Sequence, residues 1–343
     1  MESSERRSPS SQGKMAGCAL LLAVAVCMLG CAGPHRSPGA MQFAETALPP
    51  PPPLPPVPWR EDTASTLASG SAQWTDSSRD RTITGRWVAP AGGGRALVLV
   101  LPGLAQGSQM PMALAETLAH AGFAVLALGH PGNDETVWQG QEARRADFQL
   151  AARRVYAISE AAERVADVHF VLAALEREPP PWLPQSWTRL GVVGIGPGAQ
   201  TAQWLVGERM TRDPPQAPDR RIAAVALVGP YVGFEGPAMS QRYGSVTTPL
   251  LLAYGLTETD PYGLGMTGQQ RRAMVNQLVN ARVVELRLSA STVAALQLPG
   301  MPQIPDGAAG SRLPPSTSTQ HEQSNRSGRG PAPGAIGATG APP

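Results

Sequence analysis

Between residues 96 and 290 the chain alternates two kinds of apolar pattern. Short unbroken runs at 96–103, 123–132, 189–196, 222–230 and 248–255 each end in Gly or Pro, and a further run follows at 282–290. Runs of this length with no polar face predict strands buried on both sides. Between them lie segments with helical spacing. Residues 112–122 stop at Gly122, residues 158–176 place Val165, Val168, Val171 and Leu172 on one face, and residues 268–281 form a third such segment. Buried strands alternating with helices predict a parallel sheet covered on both faces, an α/β architecture that binds ligands at the carboxyl ends of its strands. Ahead of these, residues 74–90 show partial alternation with a polar face, which predicts an antiparallel hairpin at the sheet edge.

The flanks differ from this core. Residues 49–58 are mostly proline, favouring an extended polyproline stalk, and residues 299–343 are rich in Gly, Pro, Ser, Thr and Ala. Such a tail buries too little apolar surface to offset the entropy of ordering. The expected organisation is a signal segment at 1–30, a proline-rich linker at 31–70, one domain at 71–298 and a disordered tail at 299–343. All three cysteines, Cys18, Cys27 and Cys31, lie near the N-terminus, so the expected domain has no disulfide framework, thiolate metal site or cysteine nucleophile. Arg6, Arg7 and Lys14 precede a short apolar stretch, Ala19 to Leu29, of signal-peptide length. Its end, Met28-Leu29-Gly30-Cys31, resembles a bacterial lipobox. That resemblance implies cleavage before Cys31 and acylation of its thiol, with Met1 or Met15 as the start. The expectation is a cell-envelope lipoprotein anchored to a membrane through Cys31. Ala32, rather than Asp, after the cysteine favours the outer membrane. The net charge of +2, without a basic patch, gives no reason to expect a nucleic-acid partner. No phosphate loop, dinucleotide fingerprint or metal-ligand set is present, so no cofactor is expected.

Residues 191–203, GVVGIGPGAQTAQ, have the strand–turn–helix form of a nucleophile elbow, which normally reads Gly-x-Ser-x-Gly. Here the run is Gly194-Ile195-Gly196-Pro197-Gly198. With residues 74–90, 97–134 and 162–176 in order, it resembles the α/β-hydrolase superfamily, and within it the dienelactone hydrolase and platelet-activating-factor acetylhydrolase-like branch. The resemblance implies an α/β-hydrolase fold, a mostly parallel sheet with helices on both faces, and the apparatus of a carboxylic-ester hydrolase: serine, histidine, orienting acid and backbone oxyanion donors.

Residue by residue, that apparatus is degenerate. The nucleophile position falls on Gly196, which has no side chain. The next residue, whose N–H serves the oxyanion, is Pro197, which has none. The histidine position after the last strand holds Ser289-Ala290-Ser291, with Ser291 where the base is expected, and the remaining downstream histidine, His321, lies in the tail. Glu258 and Asp260 stand at the acid position, as an orienting acid or simply as part of a solvated turn. Ser108 and His130 offer a rearranged nucleophile and base, or else a polar loop residue and a histidine bonded to loop backbone. Met110 and Met112 either line a pocket mouth or pack the first helix. The leading expectation is a catalytically inactive hydrolase-fold lipoprotein that binds a small molecule or a protein. The alternative is an active carboxylic-ester hydrolase with a rearranged nucleophile.

Overall fold

The computed structural model describes residues 66–139, 148–183, 187, 189–210, 217–233, 236–255, 264 and 266–288. Eight strands make one sheet: β1 (Leu67–Asp76), β2 (Arg81–Pro90), β3 (Leu97–Leu101), β4 (Ala124–Gly129), β5 (Leu190–Ile195), β6 (Ile222–Val228), β7 (Leu250–Gly255) and β8 (Val283–Leu288). Their spatial order is β1-β2-β4-β3-β5-β6-β7-β8. β2 runs antiparallel to both β1 and β4, and every other pairing is parallel. The described helices are α1 (Met112–His120), α2 (Phe148–Val155), α3 (Ile158–Arg177), α4 (Pro197–Leu205), α5 (Met239–Tyr243) and α6 (Gly268–Val275), with a 3-10 turn at Glu135–Gln139.

Strand alternation divides the apolar side chains into two cores. Leu97, Leu99 and Leu101 point to one face, where α3, α4 and α6 pack; Val98 and Val100 point to the other, against Leu114, Ala115 and Leu118 of α1. β3 to β7 are buried along their whole length, which is why they read as unbroken apolar runs. The hairpin at the edge begins at Leu67, earlier than the alternation from residue 74 suggests. Glycine in this stretch hid the pattern: Gly70 and Gly85 lie under Trp87 and Trp74, whose rings fill the space a Cβ would need. The last helix is shorter than its pattern, ending at Val275 before a non-helical turn that leads into β8. Two short elements, α2 and α5, have no clear sequence signal.

Candidate functional site

β5 lies between β3 and β6 near the middle of the sheet and passes through Gly196 directly into α4. Gly196 has φ 53° and ψ −114°, a backbone conformation that glycine adopts and L side chains resist. The flanking glycines are required by packing. A Cβ on Gly194 would stand 2.6 Å from the carbonyl oxygen of Gly198 and 2.7 Å from Cα of Ala199. A Cβ on Gly198 would stand 2.7 Å from the Pro102 carbonyl oxygen and closer still to that of Leu101. The elbow backbone is therefore intact, with the strained position at its apex. A side chain at 196 would start 3.0 Å from the Tyr156 hydroxyl and 3.9 Å from the backbone nitrogen of Leu104, in the loop after β3. That direction suits a nucleophile, but no atom is there to attack. Pro197, at the first helical position, contributes no N–H beside it.

Tyr156 carries no sequence signal that points to the site. It follows α2, is 5% exposed, and stacks on Tyr231 with ring centroids 5.2 Å apart. Both tyrosine loops are tied to α4. Gln200 donates from Nε2 to the Tyr156 carbonyl at 2.9 Å and accepts at Oε1 from buried Arg164 at 2.8 Å. Arg164 also donates to Thr201 Oγ1 and to the Val155 carbonyl, and burial pulls its guanidinium down to about 10. One turn along, Gln203 donates to the Tyr231 carbonyl at 2.8 Å and accepts from the Tyr231 N–H at 2.9 Å. Arg271 holds the neighbouring Pro230 carbonyl at 2.9 Å. Below these, Glu208 receives Gln203 and the guanidinium of Arg242. Buried polar groups satisfied on every side fix a unique geometry. The two glutamines thus hold Tyr156 beside the elbow and Tyr231 behind it.

His130 follows β4 and is 2% exposed. Its Nδ1 meets Asp167 Oδ2 of α3 at 3.0 Å, not the loop backbone, and its Nε2 has no hydrogen-bond partner among the described residues. Asp167, fully buried, also receives the Arg81 fork at 2.9 and 2.8 Å and pairs with Arg79 at 2.9 Å. Burial alone would raise the Asp167 carboxyl; the His130 ring and Arg81 overcome it and hold the carboxyl far below its usual range. Burial lowers the His130 pKa, opposed by the bond to Asp167. This arrangement pins β2 and the end of β4 to α3.

A pH dependence follows. The folded state keeps His130 neutral, while the unfolded chain takes up the proton below about pH 6.5, so stability is full above that pH and falls as pH drops below it. Urea midpoints are expected to fall between pH 7 and pH 5, with a slope of up to about 1.4 kcal/mol per pH unit from this group. His169, lowered by burial beside Asp219, adds in the same direction. His130→Asn is expected to flatten the profile; a profile unchanged by that substitution contradicts the assignment.

The structure does not join Ser108 to His130 by a hydrogen bond. Ser108 belongs to the loop between β3 and α1, whose backbone lies across Gly129: a Cβ there would stand 2.5 Å from Ser108 N. Met110 is buried against α1, while Met112 is 43% exposed. Glu258, Asp260, Ser291, His321 and Cys31 lie outside the described residues. Among the described residues no helix is long and apolar enough to cross a membrane, and no three metal-ligating side chains cluster.

The sheet order, the single strand antiparallel to its neighbours inside the sheet, and the elbow after β5 define an α/β-hydrolase fold. No protein-family model matches the chain, and no curated protein matches it. Solved structures do resemble it. A novel cold-adapted esterase from an Arctic intertidal metagenomic library, bound to polyethylene glycol, is 17% identical over 65% of this chain and 84% of its own, with a TM-score of 0.47. A dienelactone hydrolase-like promiscuous phosphotriesterase from metagenomic libraries is 16% identical over 65% of this chain and 82% of its own, with a TM-score of 0.39. The fold class rests on the strand order and the elbow, not on these low scores.

Proposed function

We propose that this chain is a non-catalytic α/β-hydrolase-fold protein that acts by binding, held at the cell envelope through an acylated Cys31, with the outer membrane preferred. The observation that carries the reading is the elbow itself. Gly196 sits in the strained conformation of a nucleophile with no side chain, followed by a residue with no N–H, and the Tyr156 hydroxyl stands 3.0 Å from where a Cβ would begin. One missing oxyanion donor alone removes about 2.7–4 kcal/mol of transition-state stabilisation. The missing attacking atom removes the covalent route through this position altogether.

Gly196→Ser tests this directly. The substitution is expected to destabilise the fold by about 1–3 kcal/mol, because a non-glycine residue must hold a positive φ beside Tyr156. It is expected to leave p-nitrophenyl acetate hydrolysis at the buffer rate, since Pro197 still lacks the donor and Ser291 stands where the base belongs. Robust esterase activity from that single change would overturn the reading. The anchor is tested separately: incorporation of a palmitate analogue is expected in the wild type and not in Cys31→Ser.

A further inference from the structure

A polar groove lies where the loop between β3 and α1 faces the β1–β2 hairpin, at the end of that loop away from Leu104. It holds about 790 Å3, within the roughly 300–1,000 Å3 range of small-molecule sites. Strand register builds its floor. Gln73 pairs with Thr84 and Ser71 with Arg86, so all four side chains point to the same side of the hairpin. Gln106, Ser108 and Gln109 form one wall, and Asp134, after β4, closes the end.

The wall is held rigidly. The Gly103 N–H donates to Gln106 Oε1 at 2.7 Å, the Ala105 N–H to Asn133 Oδ1 at 2.9 Å, and the Gly107 N–H to the Asn133 carbonyl at 2.9 Å. Ala105 keeps φ at 61°, a left-handed conformation that a non-glycine residue holds only when its surroundings fix it. Gln106 is 7% exposed, and its Nε2 makes no hydrogen bond to a described residue. Asp134 uses Oδ1 to accept from Thr136, and its Oδ2 has no such bond among the described residues. The Arg86 guanidinium is exposed and likewise makes no ion pair with a described residue.

We propose that this groove binds a neutral saccharide. Amide and hydroxyl side chains each offer both a donor and an acceptor, as every sugar hydroxyl does. Arg86 and Asp134 are planar groups of opposite sign, suited to gripping adjacent hydroxyls two bonds at a time. The largest apolar side chain in the lining is that of Ala72, so an acyl chain or lipid tail has nothing to pack against. The site is separate from the elbow, and its fate does not depend on whether the elbow is catalytic.

Isothermal titration of the purified chain with maltose, cellobiose and N,N′-diacetylchitobiose tests it. Saturable binding of at least one is expected, weakened about tenfold or more by Asp134→Asn and by Arg86→Gln, both at positions open to solvent. Three results overturn the proposal: no binding of any of the three, binding that both variants leave unchanged, or inorganic phosphate binding at the groove in preference to the sugars.

Discussion

Replacing Asp167 by alanine is expected to destabilise the domain by about 3 kcal/mol, because it removes the buried centre of a partly buried charge network, leaving Arg81 with Glu163 at 3.7 Å while Arg79 keeps Asp76 and Glu163. The carboxylate is fully buried and receives Arg81 through both oxygens, Arg79 at 2.9 Å and the His130 ring at 3.0 Å. Arg79 and Arg81 come from the turn and start of β2, His130 from the end of β4, and Asp167 from the middle of α3. Loss of the carboxylate therefore loosens the edge of the sheet from the helix that covers it, with Arg79 and Glu163 as the remaining tie. Asp167→Asn, which keeps the shape and one acceptor, is expected to recover part of the loss. Urea unfolding followed by far-ultraviolet circular dichroism measures both; a cost below about 1 kcal/mol for the alanine variant would show that the network carries little of the fold.

The second large effect is at Gly198. An alanine there brings its Cβ to 2.7 Å from the Pro102 carbonyl oxygen and nearer still to that of Leu101, both backbone atoms of β3 and its following loop. Neither side can yield without moving a central strand. Gly198→Ala is expected to cost more than about 4 kcal/mol, enough to leave little folded protein. Gly92→Ala is the matched control, since nothing lies within 4 Å of the added methyl. The contrast separates two demands on the elbow sequence. Gly194 and Gly198 answer to the close contact of strand and helix, which persists whether or not chemistry happens at the apex. Gly196 answers to the backbone conformation at the apex.

These distinctions explain what the sequence reveals and what it hides. The parallel strands are legible because burial on both faces leaves no polar residue in LVLVL, AVLALG or LGVVGI. The elbow is legible because close packing requires glycine at fixed spacing around a single apex. Tyr156 is not legible: it lies 40 positions before Gly196, in a loop, and nothing local says where its hydroxyl points. Gln200 and Gln203 look like ordinary polar residues of a helix, yet all nine residues of α4 are buried, and that environment turns the two amides into clamps. Arg164 and Asp167 read as the charged side of an amphipathic helix. Their burial, 2% and 0% exposed, is visible only once β2 and α4 are seen to cover that side. From sequence, His130 reads as a base or as a partner of loop backbone. The structure joins its ring to Asp167, 37 residues on, rather than to loop backbone, a pairing that only the tertiary fold brings about.

The proposed function requires that the apex of this elbow does not carry out acyl transfer. Its most direct test is turnover of short-chain p-nitrophenyl esters by the purified wild-type protein, run beside labelling with a fluorophosphonate serine probe. Hydrolysis at the rate of buffer and no labelled band are expected. Many turnovers per molecule that co-purify with the protein, with stoichiometric labelling of a serine, would contradict it.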